Sequence, residues 1–347
     1  MKKEIIFIIM AIFLIMPTFS QKPPQDKNWE VLFQDNFNSF NTGLWYKSHN
    51  DIHGNPSKGQ EESQIYHQNN AYIDNGKLIL RTQQVSPYPC PTGNACQYGG
   101  FHQYTSGMIL SNAAYQYGYY EIYAKLPASS GYWPAFWLWA NSPDNTTIDC
   151  WYNEIDIFEA KGDKITAITS NVWYGFGCPL EETIDTVTNV HSHSWNYSTG
   201  YHWYGVEWNH KTITWYVDRI EVRKENNNFG TTGIQHPMQI IINVALEPIN
   251  TNRSNQISST TIFPNYMYID QADGYRLKYD CNAVINEIPN FNTFNYSVKK
   301  SINLSGSSVI PANSNITLRA TDFLELNANF TVPLGATFTY IPTECAP

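Results

Sequence analysis

The chain has 347 residues, of which 15% are aromatic and 15% charged, and a net charge of -9. That length leaves room for one large β domain and a smaller module. The acidic balance argues against a nucleic-acid partner, whose phosphates call for basic surfaces, and weighs against a heavily sulfated polysaccharide. Trp and Tyr number 11 and 24, and both offer an apolar face with a polar edge, which suits carbohydrate.

Residues 1–20 have the layout of a signal peptide. Lys2 and Lys3 precede an apolar run from Ile5 to Met16, and the small residues Thr18 and Ser20 stand at three and one before a cut after Ser20. The run falls short of the roughly 20 apolar residues a bilayer span needs. A secreted protein, extracellular or periplasmic, is therefore expected, with no membrane span after cleavage. Six cysteines in an exported chain suit disulfides. Cys90 and Cys96 flank the tight Pro91-Thr92-Gly93 turn and form the first expected pair. Cys150 with Cys178, and Cys281 with Cys345, are two further choices among the connectivities six cysteines allow.

After a polar lead-in from Gln21 to Asn28, strand candidates follow at short intervals. They are Trp29 to Gln34, Asn70 to Ile73, Lys77 to Thr82, Thr105 to Ser111, Tyr117 to Lys125 and Tyr132 to Ala140. Asn153 to Glu159, Thr166 to Trp173, His202 to Asn209, Thr212 to Val217, Ile220 to Lys224 and Met238 to Ala245 continue the series. Turn signals such as Asp74-Asn75-Gly76 and Asp218-Arg219 separate them, the pattern of an all-β sandwich or barrel. Long helical periodicity is absent. Lys47 to Lys58, Gln84 to Tyr104 and Leu180 to Thr199 read as long loops able to form walls or rims of a site. His191 and His193 lie in the last of these, where Ser-rich surroundings read as exposed loop rather than a metal pair. The Asn-x-Ser/Thr matches at Asn145, Asn196, Asn295 and Asn315 matter only in a host that glycosylates.

Composition shifts after Cys281: from about Ala283 onward there is no Trp or His. Short runs recur there, among them Ile316 to Ala320, Phe323 to Leu326, Phe330 to Val332 and Ala336 to Tyr340. A domain from 21 to 281 followed by a small C-terminal β module from 282 to 347 is expected, the module built of short stacked strands.

One strand candidate stands apart. Trp151-Tyr152-Asn153-Glu154-Ile155-Asp156-Ile157-Phe158-Glu159-Ala160 carries three carboxylates where apolar side chains would be less costly to bury. Period-two alternation puts Glu154 and Asp156 on one face and Ile155 and Ile157 on the other. Glu159 is out of step, unless one extra residue around Ile157-Phe158 forms a β-bulge and returns it to the acidic face. Just upstream, Trp133-Pro134-Ala135-Phe136-Trp137-Leu138-Trp139 sets Trp133, Trp137 and Trp139 on one face and Phe136 and Leu138 on the other. Acids beside indoles point to sugar. No Gly-x-Ser-x-Gly elbow, P-loop or dinucleotide fingerprint competes with this assignment.

Together these two segments resemble glycoside hydrolase family 16, the laminarinase and β-glucanase family, in its bulged form. Gly59 to Tyr66, Ser106 to Ile109, Tyr117 to Glu121, Lys125 to Pro127, Tyr201 to Tyr204 with Glu207-Trp208, and Trp215 to Asp218 extend the match, from about Trp29 to Lys278. The resemblance implies a β-jelly roll of two curved antiparallel sheets with a substrate cleft on the concave one. It implies Glu154 as nucleophile, Glu159 as general acid/base and Asp156 as the group between them, whose like charge, with partial desolvation, raises the proton affinity of Glu159. Trp133 and Trp137 are the expected sugar platforms. Trp173 stands where many relatives have histidine and puts the sugar's identity in doubt. No cofactor is required, although a structural calcium ion would be compatible. The expected protein is a monomeric, retaining endo-glycoside hydrolase acting on a β-1,3- or mixed β-1,3-1,4-glucan. Hydrolysis of red-algal galactans such as agarose, porphyran or carrageenan is the rival activity, transglycosylation a further one, and a lectin-like module that binds without cutting the rival class.

Overall fold

A computed structural model describes residues 29–49, 62–89, 101–141, 151–176, 185–209, 211–230, 233–247, 255–277, 279–288 and 298–342. The expected signal peptide, the Cys90–Cys96 and Cys150–Cys178 pairs, Cys345, Asn145 and Asn295 lie outside them. Cys281 is disulfide-bonded.

Two main sheets account for the residues up to 277. The first runs, in spatial order, β12 (Asp185–Ser192), β11 (Ala167–Phe176), β10 (Trp151–Ala160), β9 (Tyr132–Asn141), β16 (Met238–Leu246), β7 (Met108–Tyr115) and β2 (Trp45–Lys47). The second begins at β15 (Ile220–Asn226) and continues through β14 (Thr212–Val217), β13 (His202–Trp208), β8 (Gly118–Lys125) and β17 (Asn265–Leu277). It ends with β5 (Lys77–Pro89), β6 (Phe101–Ser106) and β3 (Gln64–Tyr66), while β1 (Trp29–Asp35) also pairs with β17 and β4 (Ala71–Asp74) with β5. Pairing is antiparallel throughout apart from β3 with β6.

Alternation decides what lies between the sheets. Phe136 and Leu138 of β9, Ile155, Ile157 and Phe158 of β10, Val172 of β11 and Ile240, Ile242 and Val244 of β16 are all at most 3% exposed and share one core with Val206, Ile213 and Trp215 of the facing sheet. Each such side chain contributes about 1.5–3 kcal/mol on burial. A second, smaller cluster of Tyr66, Met108, Leu110 and Ile241, with Trp137 and Trp139 against it, forms on the opposite face of the first sheet. The first sheet thus packs one face as core and keeps the other for a different use.

Residues 279–342 add a third sheet of β18 (Tyr279–Asn286), β19 (Val298–Leu304), β20 (Asn315–Leu326) and β21 (Thr337–Pro342), all parallel. Its Ile285, Ile302, Leu304, Ile316 and Leu318 are continuous with the main core. The runs Ile316 to Ala320 and Phe323 to Leu326 belong to a single strand, β20, and Phe330 to Val332 lies outside any strand.

The all-β expectation holds, with several corrections. Thr105 to Ser111 is two strands, broken at Gly107, where a Cβ would come within 2.4 Å of the Asn70 carbonyl oxygen. Within the expected loops, β5 extends to Pro89, β6 begins at Phe101, and Asp185–Ser192 forms β12. His191 is therefore a strand residue, 8% exposed, with Nε2 2.8 Å from Ser170 Oγ. His193 stacks on Trp195 at 4.3 Å and is not an exposed loop residue either. Among the described residues no group of three His, Cys, Asp or Glu is placed to hold a metal ion, and no helix is long and apolar enough to cross a membrane.

Candidate active site

The bulge stands where the misfit of Glu159 requires it. Against β9, Asp156 pairs with Trp137 and Phe158 with Phe136, so Ile157 is the extra residue. Against β11, Asp156 pairs with Asn171 and Glu159 with Thr169, so Ile157 and Phe158 together oppose Ser170. Beyond this point the phase of β10 is reversed: Ile157 and Phe158 both sink into the core, and Glu159 returns to the face of Glu154 and Asp156.

Cross-strand neighbours then fix each acid's surroundings. Glu154 sits between Trp139 and Trp173, Asp156 between Trp137 and Asn171, and Glu159 between Ala135 and Thr169. Small neighbours beside Glu159 leave its carboxyl group accessible to longer side chains from either strand. Trp133 Nε1 donates to Glu159 Oε1 at 2.7 Å, and Asn171 Nδ2 donates to Glu159 Oε2. Lys161, two residues on, places Nζ 3.2 Å from the centre of the Trp133 ring and 2.7 Å from Glu247 Oε1. Gly162 locks that turn, since a Cβ there would lie 1.9 Å from the Ser129 carbonyl oxygen.

Burial is the leading cause that raises the proton affinity of Glu159 above the usual carboxylate range. The Lys161 charge opposes it, as do the hydrogen bonds from Trp133 and Asn171, while Glu247 adds to it. The direction agrees with the expectation, and the like-charge repulsion between Glu159 and Asp156 acts on both carboxyl groups. Asp156 is itself the strongly perturbed acid: 3% exposed, it is raised well above its ordinary value by burial, then by Glu154 and Glu159, with a bond from Asn171 opposing. Its Oδ2 is buried without a hydrogen-bond partner. Glu154 Oε2 accepts a hydrogen bond from the Tyr152 hydroxyl, which in turn is hydrogen-bonded to Trp139.

The tryptophans occupy the acidic face as alternation requires. Trp137 Nε1 donates to Asn243 Oδ1 at 2.8 Å, and Asn243 Nδ2 to the Tyr66 hydroxyl at 2.8 Å, which ties the platform to the small cluster behind it. Trp133 has one ring face under Lys161, which closes that face to stacking. Trp173 is half-buried beside Glu154. Tyr152, Asn171, Lys161 and Glu247 are the polar members absent from the sequence reading. The first three were within its reach: Tyr152 lies two before Glu154, Asn171 two before Trp173 and Lys161 two after Glu159, all on the acidic side by period two. Glu247 arrives from the end of β16 and has no local signal.

Chemically, the arrangement offers one carboxyl group held by a tyrosine, one whose proton affinity burial raises, and a third between them that cannot easily ionise alongside both. Aromatic walls flank them. Among known proteins the chain is similar to the clotting factor G alpha subunit of Tachypleus tridentatus, 26% identical over 263 residues, which cover 72% of this chain and 34% of that protein. It is also 26% identical over 244 residues to glucan endo-1,3-beta-glucosidase A1 of Niallia circulans, covering 64% of this chain and 34% of the other. The chain thus spans about a third of the length of these two relatives. Among solved structures, the catalytic domain of an endo-1,3-beta-glucanase (laminarinase) from Thermotoga petrophila aligns over 73% of this chain and 99% of its own, with a TM-score of 0.57 and 25% identity. The model for glycosyl hydrolases family 16 matches residues 58–262, a span that holds the bulged strand, its tryptophan neighbour and more than half of the chain, and the chain belongs to that family.

Proposed function

We propose that the protein is a secreted, retaining endo-glycosidase that cleaves a β-1,3-glucan, or a mixed β-1,3-1,4-glucan, by double displacement. The observation that carries this reading is the register shift in β10, which turns Glu154, Asp156 and Glu159 toward one face in a family 16 chain. Along β9 the two glutamates are four residues apart, from Trp139 to Ala135, or about 13 Å of backbone at roughly 3.3 Å per residue. Retention needs the carboxyl groups about 5–5.5 Å apart, a gap that two long side chains leaning together can close and two aspartates cannot.

In the first step a Glu154 oxygen attacks the anomeric carbon as Glu159 gives its proton to the departing glycosidic oxygen. In the second, Glu159, now ionised, takes a proton from water, whose oxygen displaces Glu154 and restores both groups. Asp156 holds the space between them and, by retaining a proton, can donate a hydrogen bond to Glu154. Tyr152 supports the charge that returns to Glu154 on departure, and Trp133 and Asn171 orient Glu159. Trp137 and Trp173 offer ring faces for pyranose stacking. The two displacements run on the carboxyl groups and call for no cofactor; a structural calcium ion and a monomeric state are compatible with them. The preference for β-1,3-linked glucan draws on the printed activities of the Niallia relative and the Thermotoga structure.

The test is a panel of β-1,3-glucan, mixed-linkage glucan, agarose, porphyran and carrageenan, scored for new reducing ends with products analysed by mass. Release from the glucans, abolished by Glu154→Gln, is expected. Release from a galactan alone would reassign the substrate, and binding without release from any of them would favour a lectin.

A further inference from the structure

A second bulge lies directly beneath the first. β14 and β15 form a hairpin through Asp218 and Arg219, both with positive φ (49° and 63°), as a tight two-residue turn requires. From this turn Val217 pairs with Ile220 and Tyr216 with Glu221, so regular pairing would set Val222 opposite Trp215. Instead Trp215 pairs with Arg223, and Val222 is the extra residue. The slip sends a guanidinium inward, where it is 5% exposed. Burying a charge between two sheets is unfavourable unless specific bonds offset it.

Arg223 Nε pairs with Glu225 Oε1 at 3.2 Å and Nη2 donates to the Val187 carbonyl at 3.4 Å, and the shorter bonds go to the edge of the upper bulge. Arg223 Nη1 donates to the Ser170 carbonyl at 2.8 Å and to Ser170 Oγ at 3.0 Å, and Ser170 is the single residue facing Ile157 and Phe158. Trp215 Nε1 donates to the Asp156 carbonyl at 2.9 Å, on the other side of the same register shift, and the guanidinium lies over the Trp215 ring at 4.3 Å. A bulge interrupts the ladder and leaves backbone groups short of strand partners. Here the two carbonyls bordering it each receive a side-chain donor from the opposite sheet. The neighbours of those carbonyls are the working groups: Asp156 itself, and Asn171, whose amide holds Glu159.

We infer that Arg223 and Trp215 are positioning residues, a clamp from the facing sheet that fixes the bulge and, through it, the relative placement of Asp156, Asn171 and Glu159. This rests on the glycosidase reading above. The clamp touches no substrate, so its loss acts on turnover rather than on sugar binding. A misplacement of about 1 Å at a reacting group can cost as much as about a hundredfold in rate.

The experiment measures kcat and KM on the best polysaccharide of the panel for Trp215→Phe, Arg223→Met, Arg223→Lys and a control, Trp208→Phe. Trp208 is fully buried on β13 and donates Nε1 to the Ile234 carbonyl at 2.9 Å, the same chemistry away from the bulge. Trp215→Phe and Arg223→Met are expected to lower kcat about ten- to a hundredfold with KM within twofold, and Arg223→Lys to recover part of the loss. Trp208→Phe is expected to match Trp215→Phe in lost thermal stability while keeping wild-type kcat. Folded Trp215→Phe and Arg223→Met proteins with kcat within twofold of wild type would overturn the inference, as would an equal kcat loss in Trp208→Phe. If Arg223→Met does not fold, Trp215→Phe decides. An inactive wild-type protein would instead defeat the glycosidase reading itself.

Discussion

Lys161→Met is expected to destabilise the fold and, at the same time, to extend activity toward alkaline pH. Lys161 Nζ is 2.7 Å from Glu247 Oε1, with side-chain exposures of 26% and 1%. Exposed pairs are worth about 0.2–1 kcal/mol, whereas removing one member of a fully buried pair costs about 3–5 kcal/mol. With one partner buried and the other a quarter exposed, about 2–3 kcal/mol is the expected loss, or roughly 4–12 °C in Tm at about 2–4 °C per kcal/mol. The pH effect has its own sign. Lys161 is the leading influence against the raised proton affinity of Glu159, so its removal lets the general acid keep its proton to higher pH and moves the alkaline limb up. Glu247→Gln removes a charge that raises Glu159 and moves the same limb down. Calorimetry at fixed pH and kcat/KM against pH measure the two effects, with the double variant closing the cycle. Limbs that moved the same way in both single variants would refute the electrostatic account, and additive stability losses in the double variant would show the pair uncoupled.

Asp156→Asn should cost activity yet raise Tm near pH 7 by about 2–5 °C. Folded Asp156 holds its proton more tightly than the unfolded value of 3.8, so its contribution is fully present below that pH and lost as pH rises; the gain should vanish toward pH 4 in thermal scans. His191 runs the other way. Burial, with Arg223 and His193 adding, pushes it down to about 4, so stability falls as pH drops from about 6.5 toward 4, and His191→Gln should lose less Tm than wild type over that interval. Trp173→Ala should raise KM roughly two- to twelvefold with little change in kcat, the equivalent of one ring stack at about 0.5–1.5 kcal/mol. A kcat loss without a KM change would remove Trp173 from the sugar platform.

The acid-bearing strand was legible because Ile155 and Ile157 give its alternation contrast and Glu159 breaks it. The indole strand was legible for the same reason. β17 was not, although it sits in the middle of its sheet. Met267 and Ile269 alternate with half-buried neighbours, but beyond the register shift between Ile269 and Gln271 the whole run from Ala272 to Arg276 is buried, so no single period spans the strand. Asp273 and Gly274 also look like loop residues in sequence. Gly274 is there because a Cβ would fall 2.3 Å from the Phe33 ring. β12 is hidden in the sequence because the edge strand Asp185–Ser192 is polar apart from the exposed Val187 and Val190, which fall out of period two, and is recognisable only by its pairing with β11. β2 and β3 are three residues long, too short for any period to show.

Glu159 and Arg223 make the comparison sharpest, because one extra residue brings each to its face. Around Glu159 the neighbours are apolar and acidic in turn, so a misplaced carboxylate stands out and the sequence itself implies a bulge. Around Arg223 the segment Glu221-Val222-Arg223-Lys224-Glu225 is nearly all charge, and nothing in it distinguishes an inward guanidinium from an outward one. The physical consequence is the same in both places: a charged group occupies a slot that alternation would give to a neighbour. At Glu159 the compensation is local, from Trp133, Asn171 and Lys161. At Arg223 it comes partly from Glu225 on its own strand and partly from the Ser170 carbonyl and hydroxyl in the other sheet, so the shortest bonds of that guanidinium depend on the upper bulge. Each slip supplies what the other lacks, a donor for the interrupted ladder and acceptors for the buried charge, which ties the geometry of the carboxylates to a strand that never approaches them in sequence.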